Sequence, residues 1–171
     1  QMKDNIRLVA QAVGKEAEAE ALIERVDSAI AQGAEAISAA GLEGQPFTLA
    51  DAWSEGNNVS IRAFTSGSLM GAVGEEMGLV DAWDLEGDPD YGLAITDVEG
   101  LTNLPDDLIF TYYSNAVFED AIAGLEGNPI WEGLPFVQAG NVHRLPDGIW
   151  MFGGPLSVEQ FVSALVDTLT D

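Results

Sequence analysis

The residues of this chain that could do chemistry are few, and most fail to assemble into a catalyst. There is a single histidine, His143, next to Arg144. A hydrolytic triad needs a nucleophile and an orienting acid around such an imidazole, and no G-x-S-x-G elbow occurs. His143 therefore reads as a surface or edge-strand residue. The only Gly-Lys pair, Gly14–Lys15, lacks the preceding glycine and following hydroxyl of a phosphate loop, and no G-x-G-x-x-G follows a strand. Asp84, Glu86, Asp88 and Asp90 fall at every second position, as the start of a calcium loop does. Pro89 replaces the glycine such a loop requires, and Ile95 stands where its closing bidentate glutamate belongs, which favours a solvated acidic loop. With no cysteine, disulfides, thiolate metal ligands and cysteine nucleophiles all drop out.

What remains is binding chemistry. Trp53, Tyr112, Tyr113 and Trp150 all fall at or just beyond the carboxyl ends of predicted strands, or in the loop after one, and ligands of α/β sheets collect at those ends. Arg62 is the one basic residue in the middle of the chain, and no Lys or Arg follows it until Arg144. It is either the ion-pair partner of one of the 29 acids or a cation presented to a ligand.

These residues need a scaffold, and the hydropathy pattern supplies one. "MKDNIRLVAQAVG" places Ile6, Leu8, Val9 and Val13 near one helical face, with Gly14 as the stop. "KEAEAEALIERVDSAIAQGAEAISAAG" predicts a long helix over 15–40 carrying Leu22, Val26, Ile30 and Ile37, which Gly33 could interrupt. After Pro46 comes a short apolar run (47–53) and a loop. "VSIRAF" (59–64) then alternates, with Ile61 on one side and Arg62 on the other. A "TSGS" turn leads to the helix "LMGAVGEEMGLV", an acidic loop, and a short helix capped by Asp97. "DDLIFTYYS" reads as a strand, "NAVFEDAIAG" as helix, "NVHRLP" as a short strand, and the last segment as a helix capped by Ser157. Strands and helices in alternation after an initial helical segment predict an α/β fold: a three-layer α/β/α unit with a mostly parallel sheet of four or five strands.

The chain has 171 residues, enough for one domain that buries roughly 70% of its unfolded surface. Six Lys and Arg against 29 Asp and Glu leave a net charge of −23. Such a field repels polyanions, so nucleic acid and anionic lipid surfaces are excluded as bulk partners. No apolar run of 18 residues exists to span a membrane. The chain opens on Gln1 and enters a helical pattern almost at once, which reads as a fragment or processed form.

Taken in order, several segments resemble the carboxyl-terminal lobe of the iron–siderophore substrate-binding proteins of ABC importers, a cluster that includes haem and vitamin B12 binders. "AVGKEAEAEALIERVDSAI" resembles the end of the inter-lobe segment and its backbone helix. "VSIRAFTSGSLMGAVGEEMGL" is similar to the strand, loop and helix that open the second lobe. "TDVEGLTNLPDDLIF" resembles a short Glu-bearing helix and the strand after it, and "NPIWEGLPFVQAGNVHRLPDGIWMFGGP" the block that ends in an aromatic loop.

The resemblance implies residues 1–43 as the end of the inter-lobe segment with the backbone helix, and 44–171 as the ligand-binding lobe. It implies a cleft in which Arg62 meets the metal chelate, Trp150, Met151 and Phe152 flank it, and Tyr112, Tyr113 and Trp53 line the strand ends. Glu99 matches an acidic residue that in relatives engages the membrane permease. A second cleft arginine of some relatives has no match here. The implied partners are an iron(III)-siderophore complex, the permease of an ABC importer and a missing amino-terminal lobe. The implied location is extracytoplasmic, as a cell-surface lipoprotein or in a periplasm. No catalysis and no intrinsic cofactor is implied, and the piece is expected to be monomeric. Two other readings stand beside it: a metal-dependent hydrolase using the acid clusters, and an interaction domain of a salt-adapted organism whose charge serves solubility.

Overall fold

The computed structural model describes residues 1–55, 58–114 and 120–170. Helix α1 (Met2–Val13) stops at Gly14, which takes a left-handed φ of 67° and returns its N–H to the Ala10 carbonyl. Only Ala10 of α1 is buried; Leu8, Val9 and Val13, expected on one face, all lie exposed. Helix α2 (Glu16–Ala39) runs unbroken, burying Ala19, Ile23, Val26, Ile30, Gly33 and Ile37 at intervals of three or four. Gly33 does not interrupt it. A Cβ there would lie 2.8 Å from both Met77 and Val162, so the absence of a side chain lets α2 pack closely against the end of α3 and against α6.

The apolar run after Pro46 is the organising strand. β1 (Pro46–Glu55) pairs antiparallel with β2 (Asn58–Phe64) and parallel with β3 (Val80–Asp81) and β5 (Ile109–Tyr112). β4 (Leu93–Thr96) adds antiparallel to β2, and β6 (Val142–Arg144) parallel to β5. The order is β4-β2-β1-β5-β6, with β3 on β1, so three of the five pairings among the described residues are parallel. The sheet has six strands rather than four or five. β3 lies in a segment with too few residues to show a period of two, and β4 follows directly on the acidic loop.

Helix α3 (Leu69–Glu76) is capped by Ser68, whose Oγ accepts the Gly71 N–H at 3.0 Å. Asp97 accepts the Gly100 N–H at 3.0 Å, but the helix expected after it is only a 3-10 turn (Gly100–Asn103) whose cap position is Glu99, with no side-chain capping bond. The helix expected over 115–124 falls partly outside the described residues; from Asp120 onward the chain forms only a 3-10 turn, Ala123–Leu125. Short helices α4 (Pro129–Gly133) and α5 (Pro135–Gln138) precede β6. The terminal helix α6 (Pro155–Thr170) begins before Ser157, which sits inside the first turn rather than at its cap. Proline is pre-organised for that first position, having no N–H to leave unpaired.

Two cores flank the sheet, as a three-layer α/β fold requires. On one side Val26, Ile30, Ile37, Met77, Phe161 and Leu165 of the helical layer cover Phe47, Leu49, Phe64 and Ile109. On the other, Trp83, Leu101, Leu125, Trp131 and Phe136 cover Ala50, Ile61, Ala63 and Phe110. Alternation along β1 therefore assigns odd positions to the face covered by α2, α3 and α6, and even positions to the opposite face.

Candidate ligand cleft

Past Leu49 the odd positions of β1 emerge from the helical layer as Asp51 and Trp53. The antiparallel register places Asp51 directly opposite Arg62 on β2. Arg62 Nη1 donates to Asp51 Oδ2 at 3.1 Å, with side-chain exposures of 30% and 18%, so the pair is shielded from most of the solvent. Tyr113, just beyond β5, donates its hydroxyl to the same oxygen at 2.9 Å. The Arg62 guanidinium carbon lies 5.1 Å from the Trp53 ring centroid, a cation–π arrangement. Arg62 is thus ion-paired, the first of its two readings, and it also lines a cleft.

Burial raises the Asp51 carboxyl above its ordinary value, and Arg62 and Tyr113 only partly offset this. Its other oxygen, Oδ1, is buried with no hydrogen-bond partner among the described residues. Burial, reinforced by the neighbouring Asp51 charge, pushes the Tyr113 phenol up, so it remains a neutral donor at physiological pH.

The opposite wall is the segment 147–152, held between β6 and α6. Trp150 is 65% exposed, Phe152 is 39% exposed, and Met151 between them is buried beneath the cleft. Phe152 lies 5.7 Å from Trp150, 5.8 Å from Phe64 and 6.3 Å from Tyr91, and Phe64 in turn lies 5.8 Å from Tyr113. These edge and tilted contacts make a continuous aromatic wall. The cleft between the walls encloses about 1080 Å³, and Arg62, Trp53, Tyr113, Trp150, Met151 and Phe152 all line it.

Tyr112 does not join them. It follows the even positions to the opposite face, where it is buried and donates its hydroxyl to Asp120 at 3.3 Å. Burial and that carboxylate push its phenol up to about 12. Successive residues of extended backbone point to opposite faces, and Tyr113, one residue beyond β5, points away from Tyr112. Glu99 is exposed at the start of the 3-10 turn, away from the cleft, and its backbone carbonyl accepts the Thr102 hydroxyl at 2.7 Å. His143 sits opposite Thr111 in the β5–β6 pairing, half-buried, and burial lowers its imidazole below the ordinary value.

The acidic loop holds itself together. Asp88 accepts backbone N–H groups from Asp90, Tyr91 and Leu93 at 2.9–3.0 Å, bonds that lower its carboxyl below the ordinary value. Among the described residues no three His, Asp or Glu side chains converge as a metal-holding group. None of their helices is long and apolar enough to cross a membrane. The sequence reading missed Asp51, although its two-residue spacing from Trp53 in an extended segment was the available signal. It also missed Asp147, Gly148 and Ile149, which line the cleft from an irregular segment with no periodicity to read.

The fold has counterparts among known proteins. A family model described as "Periplasmic binding protein" matches residues 1–148. The iron(3+)-hydroxamate-binding protein FhuD of Escherichia coli is 31% identical over 104 residues, covering 60% of this chain and 33% of that protein. Among solved structures, the Fe3+–Desferal-bound siderophore-binding protein FhuD from Vibrio cholerae superposes with a TM-score of 0.76 at 21% identity, over 99% of this chain and 60% of that one. FhuD2 from Staphylococcus aureus with bound ferrioxamine B gives 0.73 at 16% identity, over 99% and 64%. The chain therefore spans a third of the curated relative and about three-fifths of these solved chains.

Proposed function

The chain belongs to the periplasmic binding protein family, and on that premise we propose that it is the carboxyl-terminal lobe of an extracytoplasmic receptor that captures a ferric siderophore for an ABC importer. The observation that carries this reading is the cleft at the strand ends, where one arginine and a wall of aromatic rings converge. A ferric siderophore complex is bulky, with apolar flanks around a polar, oxygen-ligated metal. A broad aromatic cleft with a single fixed guanidinium matches that shape better than it matches a small polar substrate. The similar proteins named above, with their iron–hydroxamate, Desferal and ferrioxamine B ligands, support the same class.

In this reading residues 1–43 close the inter-lobe segment with α2 as the backbone helix, and 44–171 form the lobe. An amino-terminal lobe supplies the other half of the site. The iron chelate is cargo, so the protein performs no catalysis and carries no resident cofactor. Exposed Glu99 meets a basic residue of the importer's permease, and the receptor works outside the cytoplasm, in a periplasm or tethered as a lipoprotein.

Titration with ferrichrome tests the reading, because Trp53 and Trp150 line the cleft and report on its occupancy. Saturable quenching of tryptophan fluorescence is expected. One lobe offers about half of the contacts while the entropic cost of association is largely unchanged. The affinity should therefore be ~100-fold or more below that of a two-lobed receptor, for roughly 3 kcal/mol of lost contact. No quenching at millimolar ferrichrome overturns the assignment.

A further inference from the structure

The cleft has an unusual charge arrangement for a site that receives a metal chelate. Three charged side chains line it among the described residues: Asp51, Arg62 and Asp147. Its one cation is not free. Arg62 is paired with Asp51 at 3.1 Å, and that pairing follows from the strand register rather than from a chance rotamer, since the two residues are direct cross-strand partners. Tyr113 holds the carboxylate from the other side at 2.9 Å, and Trp53 covers the guanidinium. Asp147 is paired outside this group, with Arg144 at 2.6 Å, and Arg144 also binds Asp120 at 3.0 Å. The lining thus carries two acids and one base, in a chain whose net charge is −23.

Resting on the siderophore reading, we infer that Asp51 is a specificity-determining residue: by neutralising Arg62 it tunes the cleft to ferric chelates of zero or positive net charge and turns away anionic ones. The chemistry of the ligand classes makes the distinction sharp. Three hydroxamates, each with one negative charge, neutralise iron(III), whereas three catecholates, each with two, leave a trianionic complex. A shielded arginine without a counterion would attract the second class; one already bound to a carboxylate gives it no net attraction, in a chain whose net charge of −23 repels anions. For an uncharged chelate the same pair is a rigid hydrogen-bonding platform beside the Trp53 and Trp150 rings.

The test compares ferrichrome with the ferric complex of a tris-catechol on the wild-type chain, Asp51→Asn and Asp51→Ser, read by tryptophan quenching at constant ionic strength. The serine variant guards against a folding defect in the asparagine one, and circular dichroism verifies both. Wild type should favour ferrichrome, and each Asp51 variant should raise the catecholate-to-hydroxamate affinity ratio tenfold or more. Glu24→Gln, the same change of net charge at an exposed position of α2 outside the cleft, should leave the ratio unaltered. A folded Asp51 variant with an unchanged ratio overturns the inference, as does a wild-type chain that prefers the catecholate, or a Glu24→Gln ratio that moves as far as that of Asp51→Asn. If the wild type binds neither chelate, the siderophore reading fails and the inference with it.

Discussion

Tyr112 and Tyr113 are neighbours in the chain and lie on opposite faces of the sheet, one bonded to Asp120 at 3.3 Å and the other to Asp51 at 2.9 Å. Both hydroxyls donate to a carboxylate, and only the second belongs to the cleft. The pair therefore separates stability from binding. Tyr112→Phe should lower stability by about 1 kcal/mol, the usual net value of one hydrogen bond, with little effect on ferrichrome affinity. Tyr113→Phe should weaken ferrichrome binding severalfold by loosening the Asp51–Arg62 pair. Chemical denaturation and fluorescence titration of both variants check this; the reverse pattern would place the site on the other face.

Trp150 projects from the 147–152 segment with two-thirds of its surface in solvent. Exposed side chains contribute little to folding, so Trp150→Ala should shift stability by no more than about 0.5 kcal/mol. Aromatic anchors of binding sites contribute far more, and ferrichrome affinity should drop about tenfold or more. An unaltered affinity would remove the aromatic wall from the site.

The turn that feeds α3 is fixed by backbone contact. A Cβ on Gly71 would lie 2.1 Å from the Thr65 carbonyl oxygen, a rigid neighbour, whereas one on Gly33 would meet the flexible end of Met77 and a methyl of Val162 at 2.8 Å. Gly71→Ala should therefore cost about 1–3 kcal/mol or more, the range for overpacking, and Gly33→Ala less. Comparing their denaturation midpoints decides it.

Stability should respond to pH through His143. Burial holds its imidazole below the ordinary value of 6.5, so the folded state resists a proton that the unfolded chain accepts. The stability this provides is complete above pH 6.5 and is lost as pH falls through the lower, folded value. Between pH 7 and 5 the wild type should lose stability relative to His143→Asn, and urea titrations that run parallel for the two would show that the imidazole titrates normally.

Glu99 stands on the surface, outside the cleft, beside Asp97. In a full-length receptor Glu99→Ala should leave siderophore affinity intact and reduce uptake. Normal uptake in Glu99→Ala together with reduced uptake in Asp97→Ala would move the docking role to the neighbouring carboxylate.

The sequence by itself determined the parts of this protein whose signals are local. A 24-residue helix shows its buried stripe at intervals of three and four wherever it is read, and α2 was legible for that reason. The alternation of Ile61 with Arg62 and the glycine that stops α1 are likewise written in neighbouring residues. Tertiary structure alone decided the rest. That β1 is the hub of the sheet depends on three partners, one of them more than sixty residues away, as the Tyr113–Asp51 bond illustrates. The choice of Asp51 as the counterion of Arg62, from among 29 acids, is a consequence of register, and register is settled when one face of every strand must be buried at once. The separation of Tyr112 from Tyr113 has the same origin. Strand period tells that two neighbours face apart, but only the helices α2, α3 and α6, by covering one face of the sheet and stopping short of its end, determine which of them meets the ligand cleft.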